Sequence, residues 1–426
     1  MIELGIESLK SKVQKRIHQE SIKKDYQEIG TFIKKRRKDL NMTQDMISNG
    51  ICSISYLSKI ENNQIAPNTF FIKEIMSKLE IEEDFVNKNL EDQTYLQKTI
   101  QAIFYTNVET LENVYQDVVG IEDNVTINIC KLGYQTIVAN RLSGDPLMRL
   151  EALIMNMNNL ELKAYLLFSA LYFIGYDDYK TALEVLMMSL SISGGNEYIY
   201  ALTHEQAYYV KQRLLKKNSS LQHYDEAMRI YRKYFNNNRT MRLTLQKIYY
   251  LSDENPKLAI DQMDKVKVEL LSDLNKDFYY YNKGRLSFLM ERYQETVGYL
   301  SHIKEDSTLH IDKLLLLYEI CLIEDDFDMQ EEMKSIIAEY KMKRTDMKNK
   351  VYYHYLNETI EEDLKIYLRD IAIPFSIKSN NYKMLKFYTD KIMEICINNS
   401  RYKEATQYYK KCNKEMERVE RILYEV

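Results

Sequence analysis

Two neighbouring stretches near the N-terminus carry the side chains best suited to bind another molecule. The first, "IKKRRK" at 33–38, contains five consecutive cations. The second, "SISYLSK" at 53–59, combines hydroxyl groups with a lysine in a short helical pattern. Cations neutralise phosphates, and hydroxyl and ammonium groups can hydrogen-bond to base edges in the major groove. Together these stretches predict binding of double-stranded DNA.

No motif indicates catalysis. The sequence contains no phosphate-cradling glycine loop, no HExxH and no GxSxG. The six histidines are dispersed without ligand spacing, and the five cysteines lack a CxxC pair, which is typical of free thiols in a reducing cytoplasm. We therefore expect no enzyme, no cofactor, no metal, no membrane segment and a cytoplasmic location.

The composition favours an all-α protein. Only 11 Gly and 4 Pro occur among 426 residues, whereas an average chain contains about 12% of the two together. Charge is uneven: residues 1–79 contain 14 Lys and Arg against 9 Asp and Glu, so this head carries +5 and the remainder -9. A basic head on an acidic body is typical of a nucleic-acid-binding module joined to a different domain.

Helix boundary signals divide the head into short helices. Asn41 suits the left-handed position that ends a first helix. Thr43 is a natural N-cap for a second helix, and Asn49-Gly50 forms a turn before a third helix that starts near Ser53. Spacings of three predict a buried stripe on that third helix, formed by Ile54, Leu57 and Ile60.

The third helix then presents a polar face outward. Its outward side chains are Ser53, Ser55, Tyr56 and Lys59. A short helix, a tight turn and a second short helix form the helix-turn-helix arrangement, whose second helix enters the major groove. Short polar helices also occur in ordinary bundles, but the basic run upstream favours DNA.

The stretch at 33–68 resembles the Xre-type, lambda-repressor-like DNA-binding domain. Its Thr43-Gln44 and Ser58-Lys59-Ile60-Glu61 match the family's pattern, as does Pro67. Ile51-Cys52-Ser53-Ile54-Ser55 is similar to the PlcR/NprR branch of the RRNPP group of peptide-sensing regulators. Asn41 stands where a Gly is usual, and residues 1–25 lie outside the pattern.

This resemblance implies roles for particular residues. Gln44 would touch a phosphate or a base. The residues facing the groove would be Ser53, Ile54, Ser55, Tyr56 and Lys59. Arg37 and Glu61 would form an internal ion pair between the first and third helices.

Four later segments share one plan and resemble the second helix of a tetratricopeptide repeat. Each places an aromatic residue three positions before a small one: Tyr179/Ala182, Tyr224/Ala227, Tyr293/Thr296 and Tyr402/Ala405. Gly284 precedes Thr296 by the distance that this repeat expects. We therefore predict a right-handed superhelix of about eight or nine helix pairs with a concave groove.

An extended peptide is the ligand that the family resemblance implies for this groove. Asn side chains can satisfy peptide backbone groups, and Asn282 is the best candidate, with Tyr281 and Arg285 around it. Weaker candidates on an earlier helix are Tyr209, Gln212 and Arg213. The alternatives are that Tyr281 only packs between repeats and that Arg285 is solvated.

The predicted organisation has four parts. They are a helical extension at 1–25, which packs on the head or follows DNA, the DNA-binding domain at 26–85, a linker helix at 86–98 and the repeat domain at 99–426. The predicted function is a cytoplasmic quorum-sensing transcription regulator, a homodimer or tetramer controlled by a short signalling peptide. The alternatives are a Rap-like protein that sequesters or dephosphorylates a response regulator, and a phage lysogeny regulator of the same architecture.

Overall fold

The computed structural model describes residues 6–21, 29–62, 69–80, 83–121, 124–138, 144–194, 196–340 and 347–424. These residues form helices and no strands. None of the described helices combines the length and apolarity that crossing a bilayer requires. The chain divides into an N-terminal unit (Met1–Tyr172 and Val185–Thr203) and a C-terminal unit (Phe173–Glu184 and His204–Val426).

Helix α1 (Ile6–Ser21) precedes the head and is anchored to a later part of the N-terminal unit. Its fully buried side chains are Leu9 and Val13. Lys12 Nζ lies 2.7 Å from Glu151 Oε1, and Arg16 Nη2 donates to the Met157 carbonyl at 2.8 Å. Both cations therefore have partners within the N-terminal unit.

The head consists of α2 (Ile29–Asp39), α3 (Gln44–Ser48), α4 (Ile54–Glu61) and α5 (Thr69–Lys78). One apolar cluster joins these helices, and its buried members are Ile33, Ile47, Leu57, Ile60, Ile75, Met76 and Leu79. Burying this many aliphatic side chains is what allows four short helices to hold one geometry, since isolated helices of this length are marginal in water. Pro67 lies outside the described residues.

The predicted helix boundaries in the head are confirmed. Asn41 adopts φ 55° after α2. Thr43 Oγ1 accepts a hydrogen bond from Met46 N at 3.2 Å, and Ser53 Oγ accepts one from Tyr56 N at 3.1 Å. Each hydroxyl satisfies an orphan N–H group of the first helical turn.

The predicted buried stripe of α4 is wrong at one position. Leu57 and Ile60 are buried, but Ile54 is 47% exposed. Ile54 is the first residue of an eight-residue helix, so its side chain lies beyond the edge of the core that α2, α3 and α5 form. Its exposure agrees with the outward orientation that the family resemblance implies.

Nineteen helices follow the head. They are α6 (Glu83–Phe104), α7 (Val108–Val119), α8 (Val125–Ile137), α9 (Gly144–Glu151), α10 (Asn159–Gly175), α11 (Tyr179–Ser191), α12 (Glu197–Arg213), α13 (Lys217–Lys233), α14 (Asn237–Leu251), α15 (Pro256–Met263), α16 (Asp273–Leu289), α17 (Tyr293–Leu300), α18 (His310–Ile323), α19 (Phe327–Glu339), α20 (Met347–Asn357), α21 (Glu361–Tyr367), α22 (Ile373–Lys378), α23 (Tyr382–Asn398) and α24 (Tyr402–Tyr424). Short helical turns occur at Ile154–Asn156, Val268–Leu270 and Leu368–Ala372. The segment predicted as a linker helix, 86–98, lies within α6.

A recurring turn joins many of these helices. One residue in the left-handed conformation lies two positions before the next helix begins, as at Thr106, Asp177, Leu215, Phe235, Glu291, Asp325, Asn380 and Ser400. This conformation costs free energy for residues other than Gly. Because residues of different types adopt it here, the packing of the helices that each turn connects offsets this cost.

Small residues are buried where the repeat pattern requires close packing. Ala182, Ala227 and Thr296 are fully buried. A Cβ atom added to Gly284 would lie 3.0 Å from Leu300 Cδ2, so α16 and α17 could not approach as closely with Ala there. Tyr402 differs from the other repeat tyrosines, because it is 63% exposed at the start of the last helix.

Candidate functional site

Four of the predicted DNA-contacting side chains are exposed on α4 or at its N-cap. Ser55 and Lys59 lie one helical turn apart and are exposed. Ser53 is exposed as well, but its hydroxyl is already used as the N-cap. With Ile54 exposed beside them, this surface can offer hydroxyl, ammonium and methyl groups to base edges and phosphates.

Tyr56 occupies a different environment from its neighbours on α4. It packs against the apolar cluster of the head, with its ring centre 5.4 Å from that of Phe71 in an edge-to-face arrangement. Tyr56 therefore positions α4 against α5 (Thr69–Lys78), which sequence reasoning did not foresee. Only the part of its ring that the core leaves uncovered can face a ligand.

Gln44 is held by an ion pair inside the head. Arg37 Nε lies 2.5 Å from Glu61 Oε1, and its Nη2 donates to Glu61 Oε2 at 2.9 Å. The predicted structural pair is thus confirmed. Gln44 Nε2 donates to the same carboxylate at 2.8 Å, so its amide also supports the junction of α3 and α4. The hydrogen bond to Glu61 raises the pKa of Arg37.

The basic run is divided among structural and exposed roles. Arg36 Nε donates to the Leu79 carbonyl at 3.3 Å, and Lys34 Nζ donates to Asn62 Oδ1 at 2.8 Å. Lys38 is exposed. Of these three, Lys38 is the residue whose side chain is best placed for a phosphate.

The second candidate site lies in the C-terminal unit, where tyrosine rings and cations meet around Tyr249. Arg285 Cζ lies 4.5 Å and Lys383 Nζ 4.8 Å from the ring centre of Tyr249. Both cations contact Asp253, and the Lys383 Nζ–Asp253 Oδ2 distance is 2.6 Å. We call these residues, together with Tyr209 and Arg213, the tyrosine–cation cluster. It brings α14 and α16 together with α23, far along the sequence.

The pKa of Tyr249 reports a positive local potential. Burial alone would raise the pKa of this phenol above its ordinary value. Lys383 and Arg285 oppose that effect and, with Arg213, lower the pKa to about 8.

Four of the six predicted peptide-contacting residues belong to or adjoin this cluster. Arg285 is a member, and Arg213 lies over the Tyr209 ring at 5.2 Å. The pKa of Tyr281 is raised by burial, with contributions from Asp312 and Tyr249.

The other two predicted residues are used between neighbouring helices. Asn282 is buried, and its Nδ2 donates to the Leu245 carbonyl at 3.0 Å. Gln212 is also buried, and its Nε2 donates to Ser220 Oγ at 2.9 Å. The carbonyl oxygen of the Asn282 side chain accepts no hydrogen bond from any residue that the structure describes.

Sequence reasoning missed Tyr249, Asp253 and Lys383. A signal for two of them existed: a charged residue four positions after one member of a tyrosine pair recurs at Tyr209/Arg213, Tyr249/Asp253 and Tyr281/Arg285. That spacing places each charge one turn beyond its tyrosine. Lys383 had no such signal.

Two histidines treated as dispersed form a buried pair. His223 Nδ1 and His204 Nδ1 are 2.8 Å apart, so one ring donates and the other accepts. Burial lowers the pKa of His204 to about 4 and that of His223 to about 3. The described residues contain no group of side chains able to hold a metal ion.

We expect the C-terminal unit to lose about 2 kcal/mol of unfolding free energy for each of the two histidines between pH 7 and pH 5. Both folded pKa values lie below the ordinary 6.5, so the unfolded chain takes up protons first as pH falls. Stability is complete above pH 6.5 and declines toward pH 4. Denaturant titrations at several pH values measure this change in unfolding free energy. The His204→Gln/His223→Gln variant should lose most of the dependence, whereas His302→Gln keeps it; equal dependence in both would contradict the assignment.

Comparison with known proteins identifies the head. Residues 33–86 match the family model described as helix-turn-helix. They form a helix-turn-helix domain. The match lies over the head and α6, and it agrees with the Xre-type resemblance of the sequence.

Solved structures share the fold of most of the chain. A Rap protein complexed with competence and sporulation factor has a TM-score of 0.62 at 13% identity, covering 78% of this chain and 99% of that one. NprR in complex with its cognate peptide NprX has a TM-score of 0.62 at 16% identity, covering 76% and 99%. The apo form of the quorum sensor NprR from B. thuringiensis has a TM-score of 0.53 at 16% identity, covering 78% and 99%. No curated protein matches the sequence.

These likenesses confirm the predicted fold class. The chain is all-α, with a helix-turn-helix domain followed by helical repeats of the kind found in Rap and NprR. The resemblance to RRNPP proteins holds for the domain type and for the fold.

Proposed function

We propose that this protein is a peptide-responsive transcription regulator that binds operator DNA through α4. The observation that carries the proposal is the exposed face of α4, where Ser55 and Lys59 project from a helix whose other side is fixed in the core of the helix-turn-helix domain. Ordered polar groups on a rigid helix suit major-groove readout. Ile54 adds an apolar group for a thymine methyl.

The peptide half of the proposal is supported by the C-terminal unit. Its helical-repeat fold is shared with NprR in complex with NprX and with a Rap protein complexed with competence and sporulation factor. The tyrosine–cation cluster supplies aromatic faces and charged donors suited to a short peptide. A bound peptide would act by shifting the population among conformations or assemblies, which requires different affinities for them.

We further propose a cytoplasmic homodimer or tetramer. One α4 helix covers only a half-site, and paired half-sites are about one helical turn of DNA apart. Peptide binding would then favour or oppose the assembly whose two domains match that spacing.

The test is genomic DNA capture by the purified full-length protein, with and without a short-peptide extract from its host's culture. Recovery of a paired-half-site sequence whose yield changes with the extract supports both operator binding and control by a peptide. Recovery of a sequence in a yield that does not change with the extract supports operator binding and contradicts control by a peptide. Failure to recover any sequence in both conditions contradicts the proposal and favours sequestration or dephosphorylation of a response regulator.

A further inference from the structure

Arg213 is a cation without an anionic partner in the C-terminal unit. Its Nε is shielded from solvent and makes no hydrogen bond to the described residues. No carboxylate in this part of the chain forms an ion pair with it within 4.0 Å. Arg213 is half-buried, and shielding part of a cation from water without a partner carries a free-energy cost that a bound anion would offset.

Other cations of the same unit show what pairing looks like there. Arg239 Nη1 lies 3.0 Å from Glu205 Oε2, and both side chains are largely buried. Lys365 Nζ lies 3.0 Å from Glu404 Oε2. In contrast to these two cations, Arg213 forms no ion pair with a described carboxylate, and its Nε makes no hydrogen bond to the described residues.

A second unpaired cation lies near Arg213. Lys348, on α20, is half-buried, and no described carboxylate forms an ion pair with it. Burial raises the pKa of Tyr209, but Arg213 and Lys348 outweigh that effect and lower it. Arg213 on α12 and Lys348 on α20, two helices distant in sequence, therefore both act electrostatically on the Tyr209 phenol.

Asp177 and Asp312 act on Lys348 electrostatically, but no described carboxylate forms an ion pair with Arg213 or Lys348. Asp177 accepts a hydrogen bond from Tyr179 Oη at 2.7 Å. Asp312 influences Lys348 electrostatically without an ion pair between them. Asp253 is already shared by Arg285 and Lys383.

Space for a ligand adjoins the cluster. A cavity of about 150 Å³ is lined by Gln212, Leu215, Tyr250, Asp253, Lys383 and Lys386. Arg213, Lys348 and Tyr209 do not line this cavity, and Gln212, the residue before Arg213 in α12, is the lining residue nearest to Arg213 in the sequence. The lining of the cavity contains the Lys383–Asp253 ion pair together with Tyr250 and Lys386, so Lys386 is the lining cation that an anionic group could meet.

We infer that Arg213 and Lys348, beside Tyr209, form a subsite for a carboxylate of the bound peptide. The guanidinium offers a planar fork of donors that matches a carboxylate, and the ammonium group adds a second charge. This inference rests on the proposed peptide-binding function and specifies its ligand as a peptide with an essential carboxylate. That group is either the C-terminal carboxylate or an Asp or Glu side chain.

The experiment is affinity selection by the full-length protein from an equimolar synthetic heptapeptide library. Two forms of the library are used, one with free C-termini and one with amidated C-termini, and retained peptides are sequenced by mass spectrometry. Enrichment of Asp or Glu at one position in both forms identifies a side-chain carboxylate. Retention limited to the free form identifies the C-terminal carboxylate.

Two variants test whether this subsite is responsible for the retention of the selected peptides. Arg213→Met and Lys348→Met should each weaken retention of the selected peptides at least about tenfold. The exposed substitutions Arg292→Met and Lys304→Met, which remove the same charges elsewhere in the unit, should leave retention unchanged. Peptides retained without any carboxylate requirement, or equally by Arg213→Met, overturn the inference and leave the proposed function standing. A wild-type protein that retains no peptide overturns the proposed function itself.

A stability measurement separates a binding role from a structural one. Removing a half-buried charge that has no ion-pair partner should leave the denaturation midpoint of the peptide-free Arg213→Met variant equal to or above that of the wild type. A clearly lower midpoint would mean that Arg213 supports the fold, and it would overturn the assignment of a ligand subsite.

Discussion

The Ser55→Glu/Lys59→Glu variant is expected to bind its operator at least about 100-fold more weakly than the wild type, with unchanged folding. Both side chains are exposed on the outer face of α4, so their replacement should alter stability by no more than about 0.5 kcal/mol. Two carboxylates would instead face the phosphates and carbonyl oxygens of the major groove. Loss of one charge-assisted contact costs about 1–3 kcal/mol, and repulsion adds to that cost.

Binding to the captured DNA, measured over a range of salt concentrations, checks this prediction. The variant should also show a smaller dependence of log affinity on log salt, because one phosphate-neutralising lysine is gone. The matched control is Ser77→Glu/Lys98→Glu, which makes the same change in charge at exposed positions outside α4. If both variants lose affinity equally, net charge and not the α4 surface determines binding.

Glu61→Ala is expected to destabilise the helix-turn-helix domain by about 3–5 kcal/mol. The Glu61 side chain is fully buried and accepts hydrogen bonds from Arg37 and Gln44. Its removal leaves the Arg37 guanidinium, which is only 12% exposed, without its counter-charge. A domain of four short helices has little stability to spare, so DNA binding should be lost through unfolding.

Hydrogen exchange of the amides in α2, α3 and α4 measures this effect locally. Protection there should fall sharply, while that of the C-terminal unit stays unchanged. The control is Arg37→Met/Glu61→Met, which removes both charges and should recover much of the protection. Normal protection in Glu61→Ala would show that the pair contributes little to the domain.

The consequences for Gln44 follow from the same geometry. The family resemblance implies that Gln44 touches DNA, whereas the structure also ties its amide to Glu61. A loss of DNA binding in Gln44→Ala would therefore combine two causes. Ser55 and Lys59 give a cleaner test, because neither contributes a side-chain contact to the core cluster.

Local sequence determined where the helices of the DNA-binding domain begin and end. Thr43 and Ser53 cap helices within three residues of themselves, and Asn41 ends α2 by its own backbone preference. These are short-range interactions, so the residue types suffice to predict them. The same holds for the small residues Ala182 and Ala227, whose spacing from a tyrosine encodes close helix pairing.

Tertiary packing decided which faces of those helices are covered. The spacing of α4 predicted Ile54 inside, whereas the edge of the core left it 47% exposed. Tyr56 looked like a free surface residue until Phe71 on α5 covered one side of its ring.

The tyrosine–cation cluster depended on contacts between residues far apart in the sequence. Tyr249 and Lys383 meet only because α14 and α23 converge, and no local pattern encodes that convergence. The unpaired state of Arg213 likewise depends on which carboxylates the other helices bring near it. The sequence by itself therefore determined the helices, their caps and the DNA-binding module, whereas the environment of each buried charge was decided by the tertiary structure, because pairing of charges requires groups from several helices to meet at one place.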